Sequence, residues 1–260
     1  MKSVSPEIRT TGDGSTTLFS EQFSQHYHNP NGAVAESLHL FFETTGMITD
    51  IQNQKPLRLF ETGFGTGLNL LLFVNLLEIY GYRSNAQLYS IEAWPVTSKT
   101  ARQFSFGKHE SLNRFKPVLN NIFSTVSSGW NRFEVTANCT LNLYIGTLAD
   151  FFLDETEIGL VDYFLHDPFS PEVNAELWQA EVFREFHSMA SSRAVLGTYC
   201  AASSARAAMA SAGWFVARAP GALGKREMTL ASTDPKKLDP WKRVDEKRLS
   251  ERLLRGDFNR

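Results

Sequence analysis

From residue 57 onward, the chain alternates between short apolar runs, which predict β-strands, and longer runs with apolar residues at helical spacing. The predicted strands are 57–61, 87–93, 141–145, 161–166, 194–199, 214–218 and 227–232. The predicted helices are 68–80, a segment beginning near 95, 176–190 and 203–212. Strands that alternate with helices predict an α/β fold with a doubly wound, mostly parallel sheet. The last two strands follow each other closely, so they predict an antiparallel edge.

The two ends of the chain differ from this pattern. Residues 1–17 are rich in Gly, Ser and Thr and predict a loosely ordered start, whereas residues 33–45 have the spacing of an amphipathic helix. Residues 218–260 hold 12 Lys and Arg against 7 Asp and Glu. A solvated charged helix and a surface for an anionic partner both account for that bias. We expect an N-terminal extension with a helix covering the active site, a central domain and a charged C-terminal extension: residues 1–56, 57–232 and 233–260.

Composition excludes several classes of protein. Hydrophobic residues make up 42% and charged residues 21% of the 260 residues, and the net charge is −2. This is a globular balance that requires no structural metal or disulfide. Cys139 and Cys200 lie far apart and indicate reduced thiols in a cytoplasmic protein. Because no apolar run approaches roughly 18 residues and no signal peptide is evident, we expect a soluble cytoplasmic protein without a membrane contact or a metal.

A glycine-rich turn, ETGFGTGLN, runs from Glu61 to Asn69, where it ends a predicted strand and opens a helix. Glycine lets the backbone approach a ligand closely. A dinucleotide would need glycine where this chain has Leu68, and its pyrophosphate would lie beside the carboxylate of Glu61. That carboxylate can instead attract the amino-acid moiety of S-adenosylmethionine, directly or through water, so we favour this cofactor over NAD. The predicted cofactor-binding residues of the turn are Glu61, Gly63, Phe64, Gly65, Gly67 and Asn69.

The next two predicted strands end in further candidate cofactor ligands. Glu92 ends the second strand, where a carboxylate can accept both ribose hydroxyls. Thr147 and Asp150 follow the third strand and would border the adenine. Asp150 either contacts the adenine amino group or caps the following helix. All three residues are expected at one edge of the sheet, because the carboxyl ends of parallel strands meet there.

The loop after the fourth predicted strand carries the candidate catalytic residue, Asp167, which borders the cofactor as well. A carboxylate at this position can hold an N–H of an acceptor amine and direct the nitrogen lone pair. A reference pKa of about 3.9 makes it a weak base, so we assign Asp167 to orienting the amine, with deprotonation completed by water. His166 is expected to be a packed strand residue rather than a second base.

Several segments, taken in order, resemble a known family. They are the glycine turn, VDYFLHDPFSP at 161–171 with Asn174 and Trp178, GKREM at 224–228, and an upstream segment at 23–42. Together they are similar to the methyltransferase half of the bacterial bifunctional tRNA 5-methylaminomethyl-2-thiouridine biosynthesis proteins and its free-standing relatives.

The resemblance implies a class I, Rossmann-like methyltransferase fold. It also implies N-methylation of 5-aminomethyluridine, usually 2-thiolated, at the tRNA wobble position. Asp167 matches the family's catalytic Asp, and Glu92 matches its ribose-binding acid. The chain departs from the family pattern at Thr147, where an acid is usual, and at Pro168, where glycine is common. We expect only the methyl-transfer step here, with a separate FAD-dependent oxidase supplying the substrate.

Four residues are candidates for contacting the RNA, namely Phe169, Trp178, Lys225 and Arg226. The aromatic side chains can stack on an unpaired base. The basic pair lies in a loop before the last strand and either contacts phosphates of the anticodon stem-loop or remains a solvated surface feature. Two other functions stay open, a small-molecule amine N-methyltransferase of the same fold and a non-catalytic S-adenosylmethionine-binding protein.

Overall fold

The computed structural model of the chain describes residues 6–154, 156 and 158–258. Its strands are β1 (Glu7–Thr10), β2 (Thr16–Ser20), β3 (Gln25–His26), β4 (Leu57–Thr62), β5 (Ala86–Glu92), β6 (Gly129–Thr136), β7 (Cys139–Ile145), β8 (Val161–His166), β9 (Ala190–Thr198), β10 (Phe215–Ala219), β11 (Met228–Ser232) and β12 (Lys242–Arg243). Its α-helices are α1 (Ala33–Ser37), α2 (Met47–Gln52), α3 (Leu68–Ile79), α4 (Ser98–Ala101), α5 (Glu110–Asn113), α6 (Lys116–Thr125), α7 (Leu148–Leu153), α8 (Ala180–Met189), α9 (Ser203–Ser211) and α10 (Glu246–Leu254). A π-helical segment at Leu38–Glu43 continues α1, and 3₁₀ turns lie at Ala175–Trp178 and Pro235–Leu238.

The described strands form a small sheet, β1-β2-β3, and a large sheet with the order β12-β10-β11-β9-β8-β4-β5-β7-β6. The centre of the large sheet, from β9 to β7, is parallel. Its outer strands are antiparallel at both edges. The predicted doubly wound, mostly parallel sheet with an antiparallel edge is therefore confirmed, and the antiparallel β6 at the other edge is an addition to it.

Both faces of the large sheet are covered, so its central strands are apolar along most of their length. Leu59 and Phe60 illustrate the alternation, because they are neighbours in β4 yet belong to separate buried clusters. The cluster around Leu59 includes α3, whose residues from Leu68 to Leu77 are all buried. The cluster around Phe60 includes Phe183 of α8. The helices thus fix the strand ends on which the site is built.

The start of the chain is more ordered than predicted. The expectation of a loose segment at 1–17 is wrong for β1 and the first residues of β2, and residues 1–5 lie outside the described residues. Leu18 is fully buried, and the backbone N–H of Thr16 donates to the carbonyl of Ser105 at 2.7 Å. Apolar burial and backbone pairing together anchor this segment.

Three predicted helices have different boundaries in the structure. The helix at 33–45 changes from α1 to a π-helical segment after Ser37. The helix expected near 95 begins at Ser98, because the Thr97 hydroxyl accepts the N–H of Thr100 at 3.1 Å and caps it there. The helix expected at 176–190 is a 3₁₀ turn followed by α8, separated by the extended residue Gln179.

The described part of the C-terminal extension docks on the large sheet. β12 pairs with β10, and the backbone N–H of Val216 donates to the Glu246 carboxylate at 2.9 Å. Leu238 is fully buried. Residues 233–258 therefore dock on the large sheet, while the predicted domain boundaries stay a prediction. Within the described residues, no helix has the length and apolar character needed to cross a membrane.

Candidate active site

A cavity of about 940 Å³ lies at the carboxyl ends of β4, β5, β7 and β8. The chain order reverses between β4 and β8, and doubly wound sheets bind ligands at such a reversal. The loops after these two strands touch each other, because the N–H of Asp167 donates to the carbonyl of Thr62 at 3.2 Å. A Cβ atom added to Gly63 would lie 3.2 Å from the carbonyl oxygen of Asp167. The predicted site residues that line the cavity are Gly63, Phe64, Gly65, Asn69, Glu92, Thr147, Asp167, Phe169 and Lys225.

The glycine turn has a left-handed backbone at each of its three glycines, with φ of +94°, +55° and +74° at Gly63, Gly65 and Gly67. Side chains are strained in this region, so glycine is the residue it favours. Gly63 and Gly65 line the cavity. Gly67 does not, and its added Cβ would meet a Leu119 methyl group at 2.5 Å. Gly67, predicted as a cofactor contact, therefore serves close packing of the turn.

Glu61 lies beneath the cavity rather than in its wall. Its side chain is fully buried and accepts hydrogen bonds from Asn69 Nδ2 at 2.9 Å and Ser90 Oγ at 2.6 Å. Burial raises the pKa of Glu61 to about 7, against the opposing effect of these two bonds. Glu61 thus orients Asn69, and its predicted contact with a cofactor, directly or through water, stays a prediction.

Glu92 presents a carboxylate that the backbone holds in place. One oxygen accepts the N–H of Gly65 at 2.8 Å, and the other accepts the N–H of Trp94 at 2.7 Å. Burial raises the pKa of Glu92 above its usual range, although the two backbone bonds oppose this. Each carboxylate oxygen can accept a further hydrogen bond. Glu92 is therefore oriented to accept two hydroxyl groups.

Asp150 takes the second of its two predicted roles, that of a helix cap. The Thr147 hydroxyl accepts the N–H of Asp150 at 3.1 Å, and the Asp150 carboxylate accepts the backbone N–H of Thr147 at 3.3 Å. This capping box begins α7. Thr147 lines the cavity, whereas Asp150 is not among the lining residues. The part of the cavity wall that follows β7 is therefore formed by Thr147 and its neighbours and not by Asp150.

Asp167 is half-buried in the cavity wall, beside the glycine turn. Burial raises the pKa of its carboxyl well above the usual range, and repulsion from Glu36 and Glu61 raises it further. The ammonium group of Lys225 and a hydrogen bond from Asn69 oppose this rise. The expectation of a weak base rested on the reference pKa, and the raised pKa makes the carboxylate a better proton acceptor than that reference implies. Its role in orienting the amine stays a prediction.

His166 is packed in the core, as predicted. It is fully buried, and its ring lies edge-on against Trp178, with the centroids 4.5 Å apart. Burial lowers the pKa of His166 to about 3, so the ring is neutral. Trp178 is itself 4% exposed, and its indole N–H donates to the carbonyl of Phe169 at 2.9 Å. Trp178 therefore holds the loop after β8 from the core side. This corrects its predicted role as a stacking surface.

Phe169 belongs to an aromatic wall that sequence reasoning did not assemble. Its ring centroid lies 4.8 Å from that of Phe23 and 5.2 Å from that of Tyr27. Gln25 and Ser170 join the same two segments reciprocally, through Gln25 Nε2 to Ser170 Oγ at 2.7 Å and Ser170 N to Gln25 Oε1 at 3.2 Å. The β2–β3 hairpin thus forms one side of the cavity.

Glu36 and Lys225 form an ion pair that also lines the cavity. Lys225 Nζ lies 2.7 Å from Glu36 Oε1, and the N–H of Asn29 donates to the other carboxylate oxygen at 3.0 Å. The ring of Tyr199 lies beneath the ammonium group, 5.2 Å away. Lys225 is therefore tied to the active-site cavity. Arg226, its predicted partner in phosphate binding, lines a separate neighbouring cavity.

Comparisons with known proteins agree with this geometry. The model of a family described as S-adenosyl-L-methionine-dependent methyltransferase matches residues 110–234. The tRNA 5-methylaminomethyl-2-thiouridine biosynthesis bifunctional protein MnmC of Cupriavidus metallidurans is 31% identical over 229 residues, which are 84% of this chain and 33% of that protein. The protein of the same name from Campylobacter hominis is 30% identical over 215 residues, with 82% of this chain and 31% of that protein covered.

The chain thus spans about a third of the length of these curated relatives. Among solved structures, MnmC2 from Aquifex aeolicus superposes with a TM-score of 0.75 at 22% identity, over 92% of this chain and 76% of that one. This similarity shows a common fold. The family match and the sequence similarity to these relatives identify the chain as an S-adenosyl-L-methionine-dependent methyltransferase.

Proposed function

We propose that this enzyme methylates the primary amine of 5-aminomethyluridine, with or without a 2-thio group, at the wobble position of tRNA. The product would be the corresponding 5-methylaminomethyl nucleoside. The observation that carries the proposal is the carboxylate of Asp167 beside the glycine turn, with a pKa raised by burial. The substrate is supported by the relatives in Cupriavidus and Campylobacter, whose names specify tRNA 5-methylaminomethyl-2-thiouridine biosynthesis.

The polar groups of the cavity fit S-adenosylmethionine. Asn69 Oδ1 is buried and has no hydrogen-bond partner among the described residues, so it is available to a ligand's ammonium group. Glu92 can accept the two hydroxyls of a ribose. Gly63 and Gly65 line the cavity and carry no side chains, so a ligand can approach their backbone closely. We therefore assign the amino-acid end of the cofactor to Asn69 and the turn, with Phe64 beside it, and the ribose to Glu92, while Thr147 borders the adenine.

Bound in this cavity, S-adenosylmethionine supplies an electrophilic methyl group on a positively charged sulfur. The chain's own task is then to present a neutral amine. A primary alkyl amine resembles lysine, whose pKa is about 10.4, so it arrives mostly protonated. A carboxylate oxygen of Asp167 accepts the N–H of this amine, orients the nitrogen and receives its proton, which then passes to water.

The acceptor side of the cavity suits a cationic amine attached to a planar base. The carboxylates of Glu36 and Asp167 attract the amine. Phe169 offers the aromatic face on which the uracil stacks, and Phe23 and Tyr27 hold that ring in place. Lys225, and Arg226 next to it, would lie near the RNA backbone.

Three further expectations depend on this function. We propose that the extension at 1–56, with its helix, covers the active site of the central domain at 57–232, and that residues 233–260 form a charged C-terminal extension. A tRNA substrate also favours a cytoplasmic location. The word bifunctional in the names of the relatives supports a separate activity, expected to be an FAD-dependent oxidase, that supplies the amine.

The decisive experiment is mass spectrometry of nucleosides from tRNA incubated with the protein and S-adenosylmethionine. We expect 5-aminomethyluridine to gain one methyl group and the Asp167→Ala variant to leave it unmodified. The same assay with free small amines tests the alternative substrate class. Methylation of small amines without methylation of tRNA would contradict the proposal, and so would an absence of cofactor binding by calorimetry.

A further inference from the structure

A second cavity, of about 620 Å³, adjoins the active-site cavity. The two cavities share Ser170, Tyr199 and Lys225 in their walls. The remaining wall of the second cavity comes from the loop after β8, from α9 and the loop that leads into it, from β10 and from the segment that ends at β11. A ligand that spans both cavities would therefore pass Ser170, Tyr199 and Lys225.

The charges of the two cavities are opposite in sign. The active-site cavity is lined by the carboxylates of Glu36, Glu92, Asp167 and Glu176 and by the ammonium group of Lys225. The charged side chains that line the second cavity are Arg206, Arg218, Lys225, Arg226, Glu172 and Glu227, an excess of two positive charges among the described residues. One ligand that carries a cation and an anion a short distance apart matches this pair of cavities.

Two of the four cations already have partners that fix them. Arg206 is buried, pairs with Glu227 at 3.1 Å and donates to the Thr229 hydroxyl at 2.9 Å, so it supports the wall. Lys225 is held by Glu36. Arg218 has a long contact of 3.8 Å with Glu227, and Arg226 makes no ion pair with any residue the structure describes. Arg218 and Arg226 are thus the cations available to an anion.

We propose that the second cavity binds a phosphodiester group of the RNA next to the target nucleotide, through Arg218 and Arg226. The inference rests on the proposed function, since it takes the substrate to be RNA. The aminomethyl group would enter the acidic cavity while the adjoining phosphate enters the basic one. Arginine suits the second role, because its planar fork can bind a phosphate through two hydrogen bonds.

The proposal makes RNA binding, rather than chemistry, depend on Arg218 and Arg226. Each phosphate contact that is lost should lower the slope of log affinity against log salt by about 0.7 for single-stranded nucleic acid. It should also raise the KM for RNA without changing the environment of Asp167. A single nucleoside has no phosphate, so its methylation should not depend on either arginine.

The test compares Arg218→Ala, Arg226→Ala and their double variant with the unmodified chain. Arg184→Ala is a matched control, because Arg184 is about as exposed as Arg218 and lies outside both cavities. The substrates are an anticodon stem-loop carrying 5-aminomethyluridine and the free nucleoside. Stem-loop affinity is also measured by fluorescence anisotropy at several salt concentrations, which needs no activity.

We expect the double variant to raise the KM and the Kd for the stem-loop about tenfold, equivalent to about 1.4 kcal/mol, and to flatten the salt dependence. Nucleoside kinetics should stay unchanged, and the control should match the unmodified chain. Unchanged stem-loop binding in the double variant would overturn the proposed phosphate site and leave the proposed function untouched. If the unmodified chain methylates neither substrate, the proposed function fails and this inference fails with it.

Discussion

The cofactor side and the acceptor side of the cavity are built in different ways. On the cofactor side, backbone groups of the loops after neighbouring strands fix the binding side chain, as the Gly65 and Trp94 amides do for Glu92. On the acceptor side, side chains from distant segments meet, such as Gln25 with Ser170 and Glu36 with Lys225. We infer that the cofactor side forms with the sheet itself, whereas the acceptor side depends on the docking of the N-terminal hairpin and the loop before β11.

The largest effect on activity should come from a substitution at Asp167, where the cofactor side and the acceptor side of the cavity meet. Asp167→Ala should lower kcat by about a hundredfold to ten-thousandfold, the usual contribution of a positioned acid or base. The cofactor Kd should change little, because the carboxylate faces the amine. Steady-state kinetics and calorimetry measure the two quantities separately. Equal losses in kcat and in cofactor affinity would instead make Asp167 a cofactor ligand.

Glu61 should affect stability in a pH-dependent way. Its pKa is about 7 in the folded chain and near 4.5 when unfolded, so its favourable contribution is complete below about pH 4.5 and is lost as the pH rises through 7. The full loss amounts to about 3 kcal/mol. Glu61→Gln mimics the protonated form, so the variant should gain stability over the parent between pH 5 and pH 8 in denaturant unfolding without cofactor.

That gain is the difference between two proteins measured at the same pH, so the parallel titration of Glu92 and Asp167 largely cancels. Glu61→Asp, which keeps the charge, serves as the control and should show no such gain. If Glu61→Gln and the parent differed in free energy of unfolding by the same amount at pH 5 and at pH 8, the Glu61 pKa would not be raised.

Glu92 should separate cofactor binding from chemistry. Glu92→Gln keeps the shape of the side chain but weakens its hydrogen bonds to hydroxyls and to backbone amides. Bonds to a charged group are worth about 1.5–3 kcal/mol, so the cofactor Kd should rise about tenfold to a hundredfold. The kcat at saturating cofactor should fall much less. A variant that lost kcat while keeping its cofactor affinity would remove Glu92 from the cofactor side.

A substitution at Lys225 should have the smallest effect on activity, and this effect should appear in the pH profile of kcat/KM. Its ammonium group lowers the pKa of Asp167, so Lys225→Met should raise that pKa. Because Asp167 must be deprotonated to accept a proton, the acidic limb of kcat/KM should move to higher pH. Lys225→Arg keeps the charge and should leave the limb nearly in place. An identical limb in all three proteins would show that Lys225 acts on binding alone.

The sequence predicted well those features that are formed by residues close together in the chain. The glycine turn, β4 and α3 lie within a short stretch, so strand ending, glycine positions and helix start could be predicted together. Glu92 and Asp167 followed from their places at strand ends. Strand β6 was missed because it is an edge strand without a buried residue, in which Arg132 and Glu134 interrupt the apolar pattern.

Contacts between distant segments could not be predicted in this way. Gln25 and Ser170 are 145 positions apart, and Glu36 and Lys225 are 189 positions apart. Only the folded chain brings these side chains to one cavity. The direction of a side chain was also hidden, because nothing in the pattern shows that Glu61 faces beneath the turn or that Trp178 faces the core. The raised pKa of Asp167 follows from the same long-range packing.

The most direct test is a crystal structure with S-adenosylhomocysteine and 5-aminomethyluridine bound together. We predict that the ligand's amine nitrogen lies within about 2.6–3.2 Å of an Asp167 carboxylate oxygen and faces the cofactor sulfur over Gly63 and Gly65. An amine bound away from Asp167, or a cofactor outside the glycine turn, would contradict the account.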